Sequence, residues 1–192
     1  LISRTLATLP ELRVLSEPPA LDGVLRSGCG DGDVVLAVEA FLRRWESRPG
    51  QQAAVFKLDC WNVNQATRLR KLFPQTPQLF VYRNPLEVVV SQMTQPGAWT
   101  VRGALPAELL GMRDGEVDGM LREEYCARAV GHFLQYGAEL AGESLLTPVE
   151  YSTLPDSLFT VVLRLFDVLP GVTDREKLRA AVKSSAKQPQ GQ

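Results

Sequence analysis

Four short apolar runs punctuate the chain, at Arg13 to Ser16, Ala53 to Leu58, Gln78 to Tyr82 and Leu145 to Glu150, each bounded by Pro, Gly or polar residues. Runs this short and this apolar predict strands buried on both faces. Helical patterns separate them. Val34, Val38, Phe41 and Trp45 fall on one stripe after Asp33, a capping residue, and stop before Pro49-Gly50. A second helix is expected from Asn64 to Phe73, ended by Pro74, with Arg68, Arg70 and Lys71 facing solvent. A third begins straight after Tyr82, with Asn84 as N-cap, Pro85 at the first helical position and Glu87 where a capping-box acid belongs. Strands alternating with helices predict an α/β fold in three layers, a mainly parallel sheet flanked by helices.

Between Thr94 and Gly119 the periodicity lapses into Gly, Pro and isolated hydrophobics, which predicts a long irregular excursion with one short helix near Ala107 to Leu110. Helices follow at about Asp118 to Leu140, Asp156 to Phe166 and Asp174 to Ser184, and Lys187 to Gln192 reads as a frayed tail. No internal repeat or change of composition divides the chain, so residues 1–192 are expected to form a single domain.

Composition narrows the function classes. The 192 residues are 45% hydrophobic and 22% charged, enough apolar content for a core that needs no disulfide or metal staple. With 21 Lys plus Arg against 22 Asp plus Glu, the net charge of −1 offers no general attraction to a nucleic-acid backbone or an anionic membrane. Any anion needs a local site. Cys29, Cys60 and Cys126 are odd in number and widely spaced, so neither a disulfide framework nor a zinc ribbon is indicated. Without a membrane-spanning apolar stretch or an apolar leader, the chain is expected to be soluble and cytoplasmic.

Two strand ends carry candidate chemistry. Arg83 stands at the carboxyl end of a strand beside a capped helix N-terminus, where α/β folds bind anions, and Ser91 lies further along the same side of that helix. The competing reading pairs Arg83 with a nearby carboxylate and leaves Ser91 as packing. At the end of the preceding strand, Lys57 and Asp59 are two apart and share a side. Lys57 can neutralise charge on a leaving phosphate and Asp59 can accept a proton from an attacking hydroxyl. The alternative is a structural ion pair. Glu17 ends the first strand and is read as a turn residue. Trp61 and Trp99 are candidates for an acceptor pocket, Cys60 for a buried filler. His132, the only histidine, has no partner motif, so Cys-His catalysis and His-based metal sites are not expected.

A strand ending in Lys57-x-Asp59, a strand ending in Tyr82-Arg83-Asn84-Pro85, and Ser91 eight residues after that arginine resemble the sulfotransferase family that uses 3′-phosphoadenosine 5′-phosphosulfate (PAPS). The segment Val149-Glu150-Tyr151-Ser152-Thr153-Leu154-Pro155 resembles the tyrosine-containing strand end of the same family, and the likeness runs from about Leu1 to Asp167. The resemblance implies that Arg83 and Ser91 hold the 3′-phosphate of the nucleotide. It also implies that Lys57 and Asp59 are the catalytic lysine and base, the base often being histidine in the family and sometimes an acid. The implied fold is the P-loop nucleoside-triphosphate-hydrolase-like one. Its first strand and Gly-rich donor loop would precede Leu1, since Leu1-Ile2-Ser3-Arg4-Thr5-Leu6 resembles the helix after that loop. Ser3 and Arg4 therefore join the expected nucleotide-binding set, as does Lys187, with Lys183, for the family's late basic segment. The expected reaction moves a sulfuryl group from PAPS to a hydroxyl or amine of a small-molecule or carbohydrate acceptor, with no metal, no nucleic acid and no membrane span. The alternatives are a non-catalytic nucleotide-binding or scaffold module that has lost the donor loop, and a P-loop small-molecule kinase.

Overall fold

The computed structural model describes residues 1–44, 53–167 and 172–187, with the side chains of 172–174 and 183–187 left outside it. The chain divides into two compact units: residues 1–59 with 155–192, and residues 60–154.

In the first unit, α1 (Ile2–Leu6) leads into β1 (Leu12–Ser16), which pairs in parallel with β2 (Ala53–Lys57). The register sets Leu12 against Ala53 and Ser16 against Lys57, so both strands end at one level. Between them lie α2 (Pro19–Arg26) and α3 (Asp31–Arg43). Helix α2 is absent from the sequence expectation; Pro19 opens it at a position that needs no N–H. Its Leu21 and Leu25, one turn apart, are buried. Helix α3 starts three residues earlier than expected: Gly30 is the N-cap, and Asp33 sits inside the first turn, where its carboxylate accepts the Gly30 N–H at 3.1 Å. Val34 is fully buried, while Phe41 meets the Phe56 ring edge-on at 6.2 Å. Trp45 and Pro49-Gly50 lie outside the described residues. After Pro155 the chain forms a helical stretch whose middle, Leu158–Val162, has π geometry, continuing as α7 (Leu163–Leu165). It ends with α8 (Val172–Lys187), longer at both ends than expected. Leu6, Leu9, Leu158, Val162 and Leu178 are all but fully buried, each worth about 1.5–3 kcal/mol relative to exposure.

In the second unit, a 3₁₀ turn (Cys60–Gln65) precedes α4 (Ala66–Leu72), dividing the single helix expected from Asn64 to Phe73. Strand β3 (Leu79–Tyr82) pairs in parallel with β4 (Thr147–Glu150), setting Leu79 against Thr147 and Tyr82 against Glu150. Helix α5 (Pro85–Thr94) follows β3, and the excursion after it holds two 3₁₀ turns, Ala98–Thr100 and Ala107–Leu110, the second where the sequence placed a short helix. The long helix α6 (Arg122–Gly142) starts later than expected and buries Cys126, Ala129, Val130, Phe133 and Leu140 along one stripe, the spacing of a core-facing helix. Gly137 lies on that stripe because a Cβ there would stand 2.4 Å from the Phe80 ring of β3. Trp99 is buried, edge-on to Phe133 at 6.0 Å, with the Tyr125 hydroxyl donating to its carbonyl. It is core, so the expectation that it lines an acceptor pocket does not hold.

The class is mixed α/β with parallel pairing and flanking helices, as the alternation predicts. Among the described residues the strands make two separate two-stranded sheets rather than one sheet of four. The expectation that all four strands are buried on both faces fails as well. No residue of β2 is buried, and Val81 and Tyr82 at the end of β3 are exposed. Apolar composition says a residue prefers cover; it does not say which neighbour supplies it.

Candidate functional site

The end of β2 gathers charge. Glu17, the first residue beyond β1, donates its N–H to the Lys57 carbonyl at 2.7 Å, extending the ladder past the strand. Its backbone has φ of 50°, the left-handed region that costs a non-glycine residue about 1–2 kcal/mol. That turn carries the Glu17 carboxylate to the Lys57 ammonium, and the two form an ion pair. Asp59 lies just beyond, half-buried. Burial first, then the nearby carboxylates of Glu17 and Asp22, push its carboxyl above the ordinary aspartate range, against the opposing pull of Lys57 and Arg26. Asp22 is itself buried and bonded to Arg26 at 2.7 Å. Three carboxylates and two cations therefore share this strand end. Glu17, taken from the sequence as a turn residue, is a full member of the cluster. The signal for it was positional: it follows the strand that pairs with the one carrying Lys57.

The end of β3 is built differently. Asn84 caps α5, its side-chain oxygen accepting the Leu86 N–H at 3.0 Å, and Pro85 takes the first helical position. Glu87 does not complete a capping box. It turns back to Arg83, whose Nε donates to its carboxylate at 2.6 Å. The competing reading of Arg83 thus describes one of its contacts. Both side chains are about half exposed, 46% and 54%, so the pair is worth only about 0.3–0.5 kcal/mol. On its other side the Arg83 guanidinium lies 5.6 Å from the Tyr151 ring centroid, and Tyr151 opens the 3₁₀ turn that follows β4. Tyr151 is the residue here that spacing alone did not single out. Ser91 stands one turn beyond Glu87, partly buried, and its hydroxyl bonds to no described residue. Glu87 and Ser91, one turn apart, share a face of α5, and Arg83 stands just before the helix, paired to Glu87.

The other expected residues are more scattered. Ser3 and Arg4 sit in the five-residue α1, Ser3 half-buried and Arg4 exposed. The side chains of Lys183 and Lys187 lie outside the described residues. Cys60 is exposed, not a buried filler. Arg70 does not simply face solvent: its guanidinium donates to the carbonyls of Leu145 at 2.7 Å and Thr76 at 3.0 Å, tying α4 to the approach to β4. The excursion holds a shallow cavity of about 340 Å³ lined by Leu105, Pro106, Ala107, Asp114, Val117 and Tyr125.

Among the described residues no three His, Cys, Asp or Glu side chains group as metal ligands, and no helix is long and apolar enough to cross a membrane. The Lys57–Asp59 cluster belongs to the first unit and the Arg83–Ser91 segment to the second. No protein-family model and no curated protein matches the chain.

Proposed function

We propose that the chain is the nucleotide- and acceptor-handling part of a PAPS-dependent sulfotransferase. The observation that carries this reading is the β3 end: Arg83, held among the described residues by an exposed ion pair and the face of Tyr151, beside a capped helix start, with the Ser91 hydroxyl, which bonds to no described residue, two turns into that helix. An arginine so loosely held can exchange Glu87 for a phosphate dianion and gain a stronger, bidentate contact. The 3′-phosphate of the donor is the natural occupant, and Ser91 adds a donor to it.

In the transfer step the acceptor oxygen or nitrogen forms a bond to sulfur as the bond from sulfur to the bridging phosphate oxygen breaks. The nucleotide leaves as 3′,5′-ADP, and the acceptor proton passes to Asp59. The upward push on the Asp59 carboxyl supports this role, because a base whose proton affinity is raised toward the working pH is more effective. Lys57 steadies the departing charge once it lets go of Glu17.

Replacing Arg83 with Ala is expected to weaken 3′,5′-ADP binding at least about tenfold in calorimetric titration of the full-length protein, the loss of a charge-assisted contact. Unchanged affinity removes the assignment. Binding without sulfuryl transfer to any acceptor would favour the non-catalytic module instead, and a magnesium requirement with ATP would favour the kinase.

A further inference from the structure

A segment without regular elements keeps one shape only where something ties it down, and the excursion between α5 and α6 has such a tie at Asn64. From the 3₁₀ turn that precedes α4, the Asn64 Nδ2 donates to the Leu109 carbonyl at 2.8 Å and to the Trp61 carbonyl at 3.0 Å. Two carbonyl acceptors fix which end of the amide is nitrogen. The remaining atom, Oδ1, lies 3.0 Å from Nε2 of His132 on α6. An amide oxygen only accepts, so Nε2 carries the proton and Nδ1 is bare in the neutral ring. That ring is pressed from one side by Gly111, whose φ of +70° closes the Ala107–Leu110 turn and whose hypothetical Cβ would stand 2.5 Å from Nδ1. Tyr136 stacks against it at 6.2 Å and 13°. One ring thus meets the turn before α4, the end of the excursion's second turn, and its own helix.

We propose that His132, held as its Nε2–H tautomer, is a positioning residue that acts through Asn64 to lock the Leu109–Gly111 end of the excursion onto α6. The lock needs neither nucleotide nor transfer, so it stands or falls apart from the sulfotransferase reading.

Nitrogen-15 NMR of the unmodified protein above pH 7 reads the tautomer directly: a protonated Nε2 with a bare Nδ1 is expected, and the opposite tautomer overturns the proposal. Amide exchange at Gly111 and Met112, whose N–H groups donate to Glu108 and Ala107, reports opening of the turn. Asn64→Leu and His132→Phe are expected to speed that exchange about tenfold, the scale of one lost hydrogen bond. His132→Gln, whose side-chain N–H can replace Nε2–H, is expected to restore slow exchange. Unchanged exchange in Asn64→Leu, or no rescue by Gln, means that packing alone holds the turn and overturns the proposal. A variant that fails to fold leaves the tautomer measurement in force.

Discussion

The two strand ends that carry the candidate chemistry each hold a cation against a carboxylate, yet the pairs differ in kind. Lys57 takes Glu17 from the neighbouring strand, forty positions away, through a residue forced into a left-handed backbone and beside two further carboxylates. Arg83 takes Glu87 from the next turn of its own segment, in the open, with an aromatic ring on its other side. Both pairs are about half exposed and contribute at most about 1 kcal/mol, but the Lys57–Glu17 pair ties two strands together whereas the Arg83–Glu87 pair ties only its own segment. A pair one helical turn apart contributes a few tenths of a kcal/mol and gives way to a better anion. The β3 end is therefore the place to look for phosphate recognition, and the β2 end the place to look for a tuned carboxyl group.

The largest expected effect undermines the support of the β3 end. Gly137→Ala places a methyl into the Phe80 ring, and overpacking of this kind costs about 1–3 kcal/mol, partly offset by about 1 kcal/mol of better helix propensity. A thermal melt should show a lower Tm, and an unchanged Tm would mean that Phe80 moves aside freely. Next comes Asp59→Asn. Because the folded protein raises this carboxyl, the native state binds the proton more tightly than the unfolded chain, so the group lowers stability as pH rises through and above 3.8, its ordinary value. The asparagine variant should be more stable than the parent at neutral pH, with the gain vanishing toward acid, and, under the proposed sulfotransferase function, sulfuryl transfer should be lost. A gain that persists below that pH would place its cause outside the titration. Glu17→Gln sharpens the contrast further: removing one of the two carboxylates that push Asp59 should lower its titration in carboxyl NMR, and an unmoved midpoint would leave burial and Asp22 as the causes. The smallest effect belongs to Glu87→Gln, at most about 0.5 kcal/mol in denaturant unfolding; a larger loss would contradict the weakness assigned to that pair.

What could be read from the sequence was local. The Asn84-Pro85 helix start, the strand-length apolar runs and the turn at Ala107 to Leu110 depend on residues within a few positions of one another, and each stands where expected. Helix α2 was legible in the Leu21 and Leu25 spacing, which the sequence expectation did not use. Arg70 reaching Leu145 and His132 reaching Asn64 span 75 and 68 positions, and no spacing rule connects such pairs. The exposure of β2 and of the end of β3 was hidden for a related reason, since cover is supplied by the fold and not by the strand. Lys57 and Glu17 lie between these cases. Their contact follows from the parallel register of β1 and β2, once those strands are known to be neighbours.

The most direct test of the contrast is a calorimetric titration of 3′,5′-ADP into the full-length protein and into two variants, one at each partner of the Arg83–Glu87 pair. Glu87→Gln should bind more tightly than the parent, by a few-fold, because Arg83 no longer has to leave a carboxylate, and Arg83→Ala should bind at least about tenfold more weakly. Equal affinities in all three proteins would show that the β3 end does not recognise the nucleotide phosphate.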